Sequence, residues 1–191
     1  MTDSDKMNCM VDANLAHVTF LNEHMNEFSN SFSLAKIKNI FRENKNINNY
    51  FNNKNLNIAI HIRRHNSCDD RIEGTDTPDN FFIEIINELR TKYSSQNPIF
   101  HIYSQGNLTD FQCYKSNDVI FHINESIEDS FLGMVLADVL VTGTSTFGYI
   151  AGLLSNGIIY YTPFWGRPLP HWISVKTLTK IALPKAESDW L

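Results

Sequence analysis

Asn57-Ile58-Ala59-Ile60-His61-Ile62-Arg63-Arg64 is an apolar run that ends in two adjacent guanidinium groups. Asn52-Asn53-Lys54-Asn55 precede it and His65-Asn66-Ser67 follow. A short apolar and β-branched run bounded by turn-prone residues reads as a buried strand. Arginine offers N–H donors in a planar fork that fits carboxylate and phosphate oxygens, and it keeps its charge. Open α/β sheets hold their ligands beyond the carboxyl ends of the strands. The run therefore predicts an anionic-ligand site built on this strand. Side chains alternate faces along a strand, so His61 and Arg63 share one face and Arg64 takes the other. A structural salt bridge from one arginine and a satisfied core histidine would account for the same residues taken singly.

Downstream of this strand, short apolar runs alternate with helical periodicity. After a polar loop over 65–77, Thr77-Pro78-Asp79-Asn80 offers a capping Thr and a Pro for the first helical turn. Phe82, Ile85, Ile86 and Leu89 then recur at helical spacing to about Tyr93. Further strands are expected at 99–103, 119–123, 139–141 and 158–161. A helix with Phe131, Met134 and Val135 inward precedes the fourth strand. Another, with Phe147, Ile150, Ala151 and Leu154 inward, follows it and closes at Asn156-Gly157 with a left-handed residue. Residues 164–191 read as a loop with a short packing segment. The expectation is a Rossmann-like α/β domain over 56–191: a five-stranded parallel sheet with helices on both faces.

Upstream, Leu15, Val18, Leu21 and Met25 predict a helix over 13–28 beyond a frayed start. A second over 33–42 has Leu34, Ile37, Ile40 and Phe41 on one face. Seven Asn among residues 44–55 mark a boundary, because Asn side chains compete with both helix and strand. Residues 1–55 are thus expected to be a helical segment and an Asn-rich linker.

Each strand exit carries polar residues. The fourth leaves through Thr142-Gly143-Thr144-Ser145-Thr146 into a helix, where unpaired N–H groups and the positive dipole end attract anions; a plain Ser/Thr cap is the simpler reading. The second exit, Tyr103-Ser104-Gln105-Gly106, can meet a base or ribose. Glu125, Glu128 and Asp129 after the third can accept from ribose or base N–H groups, or simply start a helix. Asp138 lies at the opposite strand end and reads as structural. There is no GxxxxGK[ST] and no GxGxxG after the first strand. His61 and His65 lack cysteine or carboxylate partners at zinc spacing, so no metal is expected.

The chain has 191 residues, 42% of them hydrophobic, and a net charge of −5. Such a charge advertises no nucleic-acid surface. No apolar run approaches the roughly 18–20 residues of a membrane span, and the polar start Met1-Thr2-Asp3-Ser4-Asp5-Lys6 is unlike a signal peptide. Cys9, Cys68 and Cys113 form no pairing pattern, which points to free thiols in a cytoplasmic or cytosol-like reducing compartment.

His61-Ile62-Arg63-Arg64 resembles the H-x-R-R motif of the metal-independent, inverting fucosyltransferases of GT-B type, the α1,2/α1,6 and protein O-fucosyltransferase group. Ser104 matches the serine ending the family's intervening strand. Asp129-Ser130-Phe131 through Ala137-Asp138-Val139-Leu140-Val141-Thr142-Gly143-Thr144-Ser145-Thr146-Phe147 is similar to its second signature. The resemblance covers about 56–166 and keeps the motif order. It implies the donor-binding half of a GT-B enzyme, with GDP-fucose or another GDP-sugar as donor and a glycan or protein hydroxyl as acceptor. Arg63 and Arg64 would contact the diphosphate and carry catalysis, with His61 beside the nucleotide. Thr144, Ser145 and Thr146 would bind phosphate, Ser104 would line the donor site, and Asp129 would meet guanine or ribose.

Two departures accompany the resemblance. His65-Asn66 stands where many relatives have Gly-Asp, and about 55 residues are too few for the acceptor-binding half. A partner chain supplying that lobe, a fragment of a longer chain, or a non-catalytic nucleotide-sugar-binding module are the readings that follow. Transfer would need a base for the acceptor hydroxyl; His65, Asp70, Glu73 and Asp76 are candidates.

Overall fold

The computed structural model describes residues 24–43, 47, 50–51, 54–65, 76–163 and 166–178. Two helices, α1 (Met25–Ser29) and α2 (Phe32–Glu43), come first. Then follow β1 (Asn57–His61), α3 (Asp79–Lys92), β2 (Ile99–Ser104), a 3-10 segment (Leu108–Tyr114), β3 (Val119–Ile123), α4 (Ile127–Leu136), β4 (Val139–Val141), α5 (Thr146–Leu154), β5 (Ile158–Tyr161) and β6 (Ile173–Ser174). The strands form one six-stranded sheet in the order β3-β2-β1-β4-β5-β6. Every neighbouring pair is parallel.

The alternation in β1 divides the core. Ile58, Ile60 and Ile62 face Phe81, Phe82, Ile85 and Leu89 of α3, together with Phe111 and Tyr114 of the 3-10 segment. Ala59 on the opposite face belongs with Met134 and Val135 of α4, Ala151 and Leu154 of α5, and Met25 and Leu34 of α1 and α2. The helices thus cover both faces of a Rossmann-like sheet. Tyr103 on β2 presses its hydroxyl against Gly133, so a methyl there would collide with the ring.

The sheet has one strand more than expected. Ile173 and Ser174 pair in parallel with Tyr160 and Tyr161, but two residues between Trp172 and a 3-10 turn are too short to show alternation. The start of α3 also differs. Pro78 occupies the N-cap position at φ −60° and ψ 146°, without a side-chain cap. Thr77 is buried and lends its carbonyl to Arg64 instead. At the end of α5 the C-cap is Ser155 at φ −69°, and the positive-φ residues described are Asn97, Asn124 and Gly106. Gly157 is therefore not a left-handed cap. It is needed for close approach, since a Cβ there would sit 2.5 Å from the Ala137 carbonyl.

The face of α2 was read only partly from its apolar spacing. Leu34 is buried, whereas Ile37 and Ile40 are each 50% exposed. Lys38 donates to the Ser155 carbonyl at 2.7 Å and Arg42 to the Leu154 carbonyl at 2.8 Å. These two cations satisfy the last carbonyls of α5, the negative end of its dipole, and so fix which side of α2 docks. Ile150 of α5, expected inward, is 40% exposed. The helix expected over 13–28 falls mostly outside the described residues. Among the described residues no helix is long and apolar enough to cross a membrane.

Candidate functional site

Strand order reverses direction between β1 and β4, the topological switch point where parallel sheets leave a crevice at their carboxyl edge. β1 and β4 are hydrogen-bonded neighbours, with Ile60 opposite Val141. His61-Ile62-Arg63 and Thr142-Gly143-Thr144 therefore leave the sheet side by side. Their approach is close: a Cβ on Gly143 would lie 2.5 Å from the His61 carbonyl oxygen, and one on Gly148 would lie 2.9 Å from His61 Nδ1. Two glycines make room for one imidazole.

His61 is 8% exposed, and its ring meets Phe147 edge-on at 5.6 Å. Nδ1 is buried with no hydrogen-bond partner among the described residues. Burial, and then the positive charge of Arg63, hold the imidazole well below its ordinary value, at about 4. The ring is neutral at physiological pH, and the Arg63 charge lies near enough to act on it. Ser145 caps α5: its Oγ accepts from Phe147 N–H at 3.1 Å. Ser145 is buried, Thr144 half-buried and Thr146 exposed. The Thr142 hydroxyl accepts from Thr162 N–H at 3.1 Å and ties β4 to β5.

Arg64 lies on the opposite face, as the alternation predicts. Its guanidinium donates to Asp79 and to the Thr77 carbonyl at 3.2 Å, and lies over the Phe111 ring at 5.5 Å. Tyr114 donates to the same Asp79 oxygen. Arg64 is thus engaged with the start of α3 and the 3-10 segment. We expect Arg64→Ala to lower stability by about 1–3 kcal/mol through loss of its charged hydrogen bonds to Asp79 and the Thr77 carbonyl, read as a lower urea midpoint than that of the unmodified chain.

The remaining candidates stand farther from the switch point. Ser104 ends β2 and donates to the Ile62 carbonyl at 2.6 Å, binding β2 to the β1 exit. Gln105 donates to the Arg64 carbonyl at 3.1 Å. Asp129 is exposed on the first turn of α4; its Oδ2 accepts from Ser126 Oγ at 2.7 Å, and its N–H donates back to that hydroxyl at 3.0 Å. This reciprocal cap accounts for its position. Asp138 lies at the amino end, accepting from Asn57 N–H at 2.8 Å. Of the candidate bases, Asp76 accepts from His65 N–H at 2.9 Å, while Asp70 and Glu73 lie outside the described residues. The switch point therefore gathers His61, Arg63, Thr144, Ser145 and Thr146, and not Arg64 or Asp129.

One polar array has no counterpart in the reading of the sequence. On the face of the sheet shared by Ala59, His101 of β2 and His122 of β3 hydrogen-bond to each other, between Asn57 and Glu125. A histidine inside each of two apolar strands was the signal available; their pairing depends on the strand register, which puts His122 opposite Tyr103 and Ile120 opposite His101.

In comparison with known proteins, no family model, curated protein or solved structure matches the chain.

Proposed function

We propose that the chain is the donor-binding half of a fucosyltransferase-like glycosyltransferase, holding the diphosphate of a GDP-sugar at the switch point. The observation that carries this reading is the convergence of Arg63 with the N-terminus of α5 beside the buried His61. Arg63 supplies a permanent positive charge, and the first N–H groups of α5 supply aligned dipoles, so together they favour a bound anion. The guanine base and the fucosyl group come from the resemblance alone.

In transfer, the bond from the anomeric carbon to the diphosphate oxygen breaks as the acceptor oxygen bonds to that carbon, through an oxocarbenium-like transition state. The electron pair departs with the diphosphate, and the acceptor proton goes to a base. Arg63 and the α5 N-terminus stabilise the departing charge. Neutral His61 forms the wall between them. Arg64 would have to leave Asp79 to reach a phosphate, so its contribution in this reading is to hold the start of α3 beside the β1 exit.

A non-catalytic nucleotide-sugar-binding module is the second reading. It is favoured by the packing of Met25 and Leu34 into the core that contains Ala59 of β1, which leaves α1 and α2 unable to form a separate acceptor lobe. Calorimetry with GDP, GDP-fucose and a UDP-sugar, paired with hydrolysis and transfer assays, separates the two. The transferase reading expects GDP-fucose binding and turnover; binding without turnover identifies the module. Arg63→Ala should weaken GDP binding about 10- to 150-fold, the value of one charged hydrogen-bonding group. Absence of binding to any nucleotide overturns both readings.

A further inference from the structure

The two edges of the sheet are unlike. β6 is two residues long and runs into a 3-10 turn. β3, at the other edge, is five residues, Val119-Ile120-Phe121-His122-Ile123, in unbroken register with β2. No Lys, Arg, Pro or Gly interrupts it, and Ile120 is exposed. Such a strand lacks the charges, prolines and bulges that keep sheet edges from pairing. Backbone groups of successive residues point to opposite sides of a strand. Phe100 N–H donates to the Asp118 carbonyl at 2.7 Å and Asn124 N–H to the Ser104 carbonyl at 3.0 Å, so Asp118, Ile120, His122 and Asn124 face β2. Val119, Phe121 and Ile123 therefore turn their backbone groups outward. Among the described residues these groups have one bond, from Val119 N–H to the Ser116 carbonyl at 3.2 Å.

The outward row that remains is Val119 C=O, Phe121 N–H and C=O, and Ile123 N–H and C=O. This row fits itself about a two-fold axis at Phe121. With the strands antiparallel, Phe121 of each copy exchanges two hydrogen bonds with Phe121 of the other, and Ile123 N–H of each donates to Val119 C=O of the other. The N–H that finds no place, that of Val119, is the one already bonded to Ser116. Only the Ile123 carbonyls stay with water. The side chains agree with this pairing. Ile120 comes to lie opposite His122 of the other copy, in the closer, non-hydrogen-bonded kind of pair. Lys115, exposed before the strand, is brought towards Glu125, exposed after it, in the second copy. Parallel edges related by a two-fold would set N–H against N–H. β6 is too short to receive β3 of a next copy, so the closed pair is favoured over an open series.

We propose that β3 is a dimerisation edge, on which a second copy of this chain docks antiparallel and joins two six-stranded sheets into one. The axis stands perpendicular to the sheet, so the carboxyl edges of the two copies point in opposite directions. Within each copy β2 lies between β3 and β1. The dimer therefore neither blocks the switch point nor supplies it with residues, and it forms independently of whatever ligand that site takes. Two five-residue strands make a small interface, so dissociation is expected at about 1–100 μM.

Sedimentation velocity of the full chain, diluted from about 1 mM to about 0.1 μM, tests this when paired with amide hydrogen exchange at both ends of the series. The expected result is a monomer–dimer equilibrium in which the Phe121 and Ile123 amides exchange about 10-fold faster or more on dilution. The Ile120 and His122 amides, which face β2 in either state, should not respond. Ile120→Lys sets a charge beside the pairing strands and should weaken the dimer about 10-fold or more. Ile37→Lys, on the exposed side of α2, should leave it unchanged. The dimerisation edge is refuted by a chain that stays monomeric at the top of the series, whether the two amides exchange freely or are covered by another segment of the same chain. It is refuted equally by a dimer whose Phe121 and Ile123 amides exchange as in the monomer, or by one whose affinity Ile120→Lys leaves unchanged.

Discussion

Gly143→Ala is expected to lower stability by about 1–3 kcal/mol, the range for inserting a group into a filled site, and to abolish nucleotide binding at the switch point. The added methyl would lie 2.5 Å from the His61 carbonyl oxygen and 3.5 Å from both the His61 carbonyl carbon and Nδ1. The first of these is backbone, so no rotamer change relieves the contact. Nor can the strands move apart cheaply, because β1 and β4 are paired through Ile60 and Val141, and Thr142 N–H donates to the Tyr160 carbonyl at 2.9 Å. The exit loop that carries Thr144 and Ser145 must shift instead. Gly166→Ala provides a milder comparison: its Cβ would meet the Tyr149 ring at 3.2 Å, and a ring edge can yield by a few tenths of an ångström. Urea denaturation and GDP calorimetry on both variants give the measurement. If Gly143→Ala matches the unmodified chain in both, the two strand exits are not the wall of a site.

The requirement for Gly143 also shows which parts of the molecule the sequence discloses. Short apolar runs between amphipathic segments suffice to identify β1 to β5; the central β1 and β4 are buried along their whole length and need no polar alternation. The contrast between Arg63 and Arg64 was legible from the two-residue period alone. Their different engagements were not, since Asp79, Thr77 and Phe111 approach Arg64 from segments 13 to 47 residues away. The same limit applies to Gly148, an ordinary helical glycine until the strand order sets His61 against it. β6 escapes detection because its two residues derive their conformation from pairing with β5, and not from their own propensity. Ile37 and Ile40 mislead for the opposite reason: hydrophobic spacing suggests their burial, but the docking of α2 follows the carbonyls that Lys38 and Arg42 reach.

Acid should destabilise the fold before the carboxylates titrate. His61 has an ordinary value of 6.5 and is held at about 4 when folded, by burial and then by Arg63. In the unfolded chain the ring takes up a proton as pH falls below 6.5, whereas the folded chain does not until about pH 4. Proton uptake therefore favours the unfolded state across that interval. Stability is complete above the unfolded value and declines as pH falls through the window, by roughly 3 kcal/mol for His61 when fully developed. His101, also held at about 4 by burial and by His122, acts in the same direction. Against a total of about 5–15 kcal/mol for a domain, this loss is large. Denaturant midpoints measured through the window read this loss directly. His61→Leu, an apolar replacement of similar size, should remove about half of the slope, His101 supplying the rest. A midpoint that is flat from pH 6.5 to 4 would mean that His61 is not buried as a neutral ring between Gly143 and Gly148.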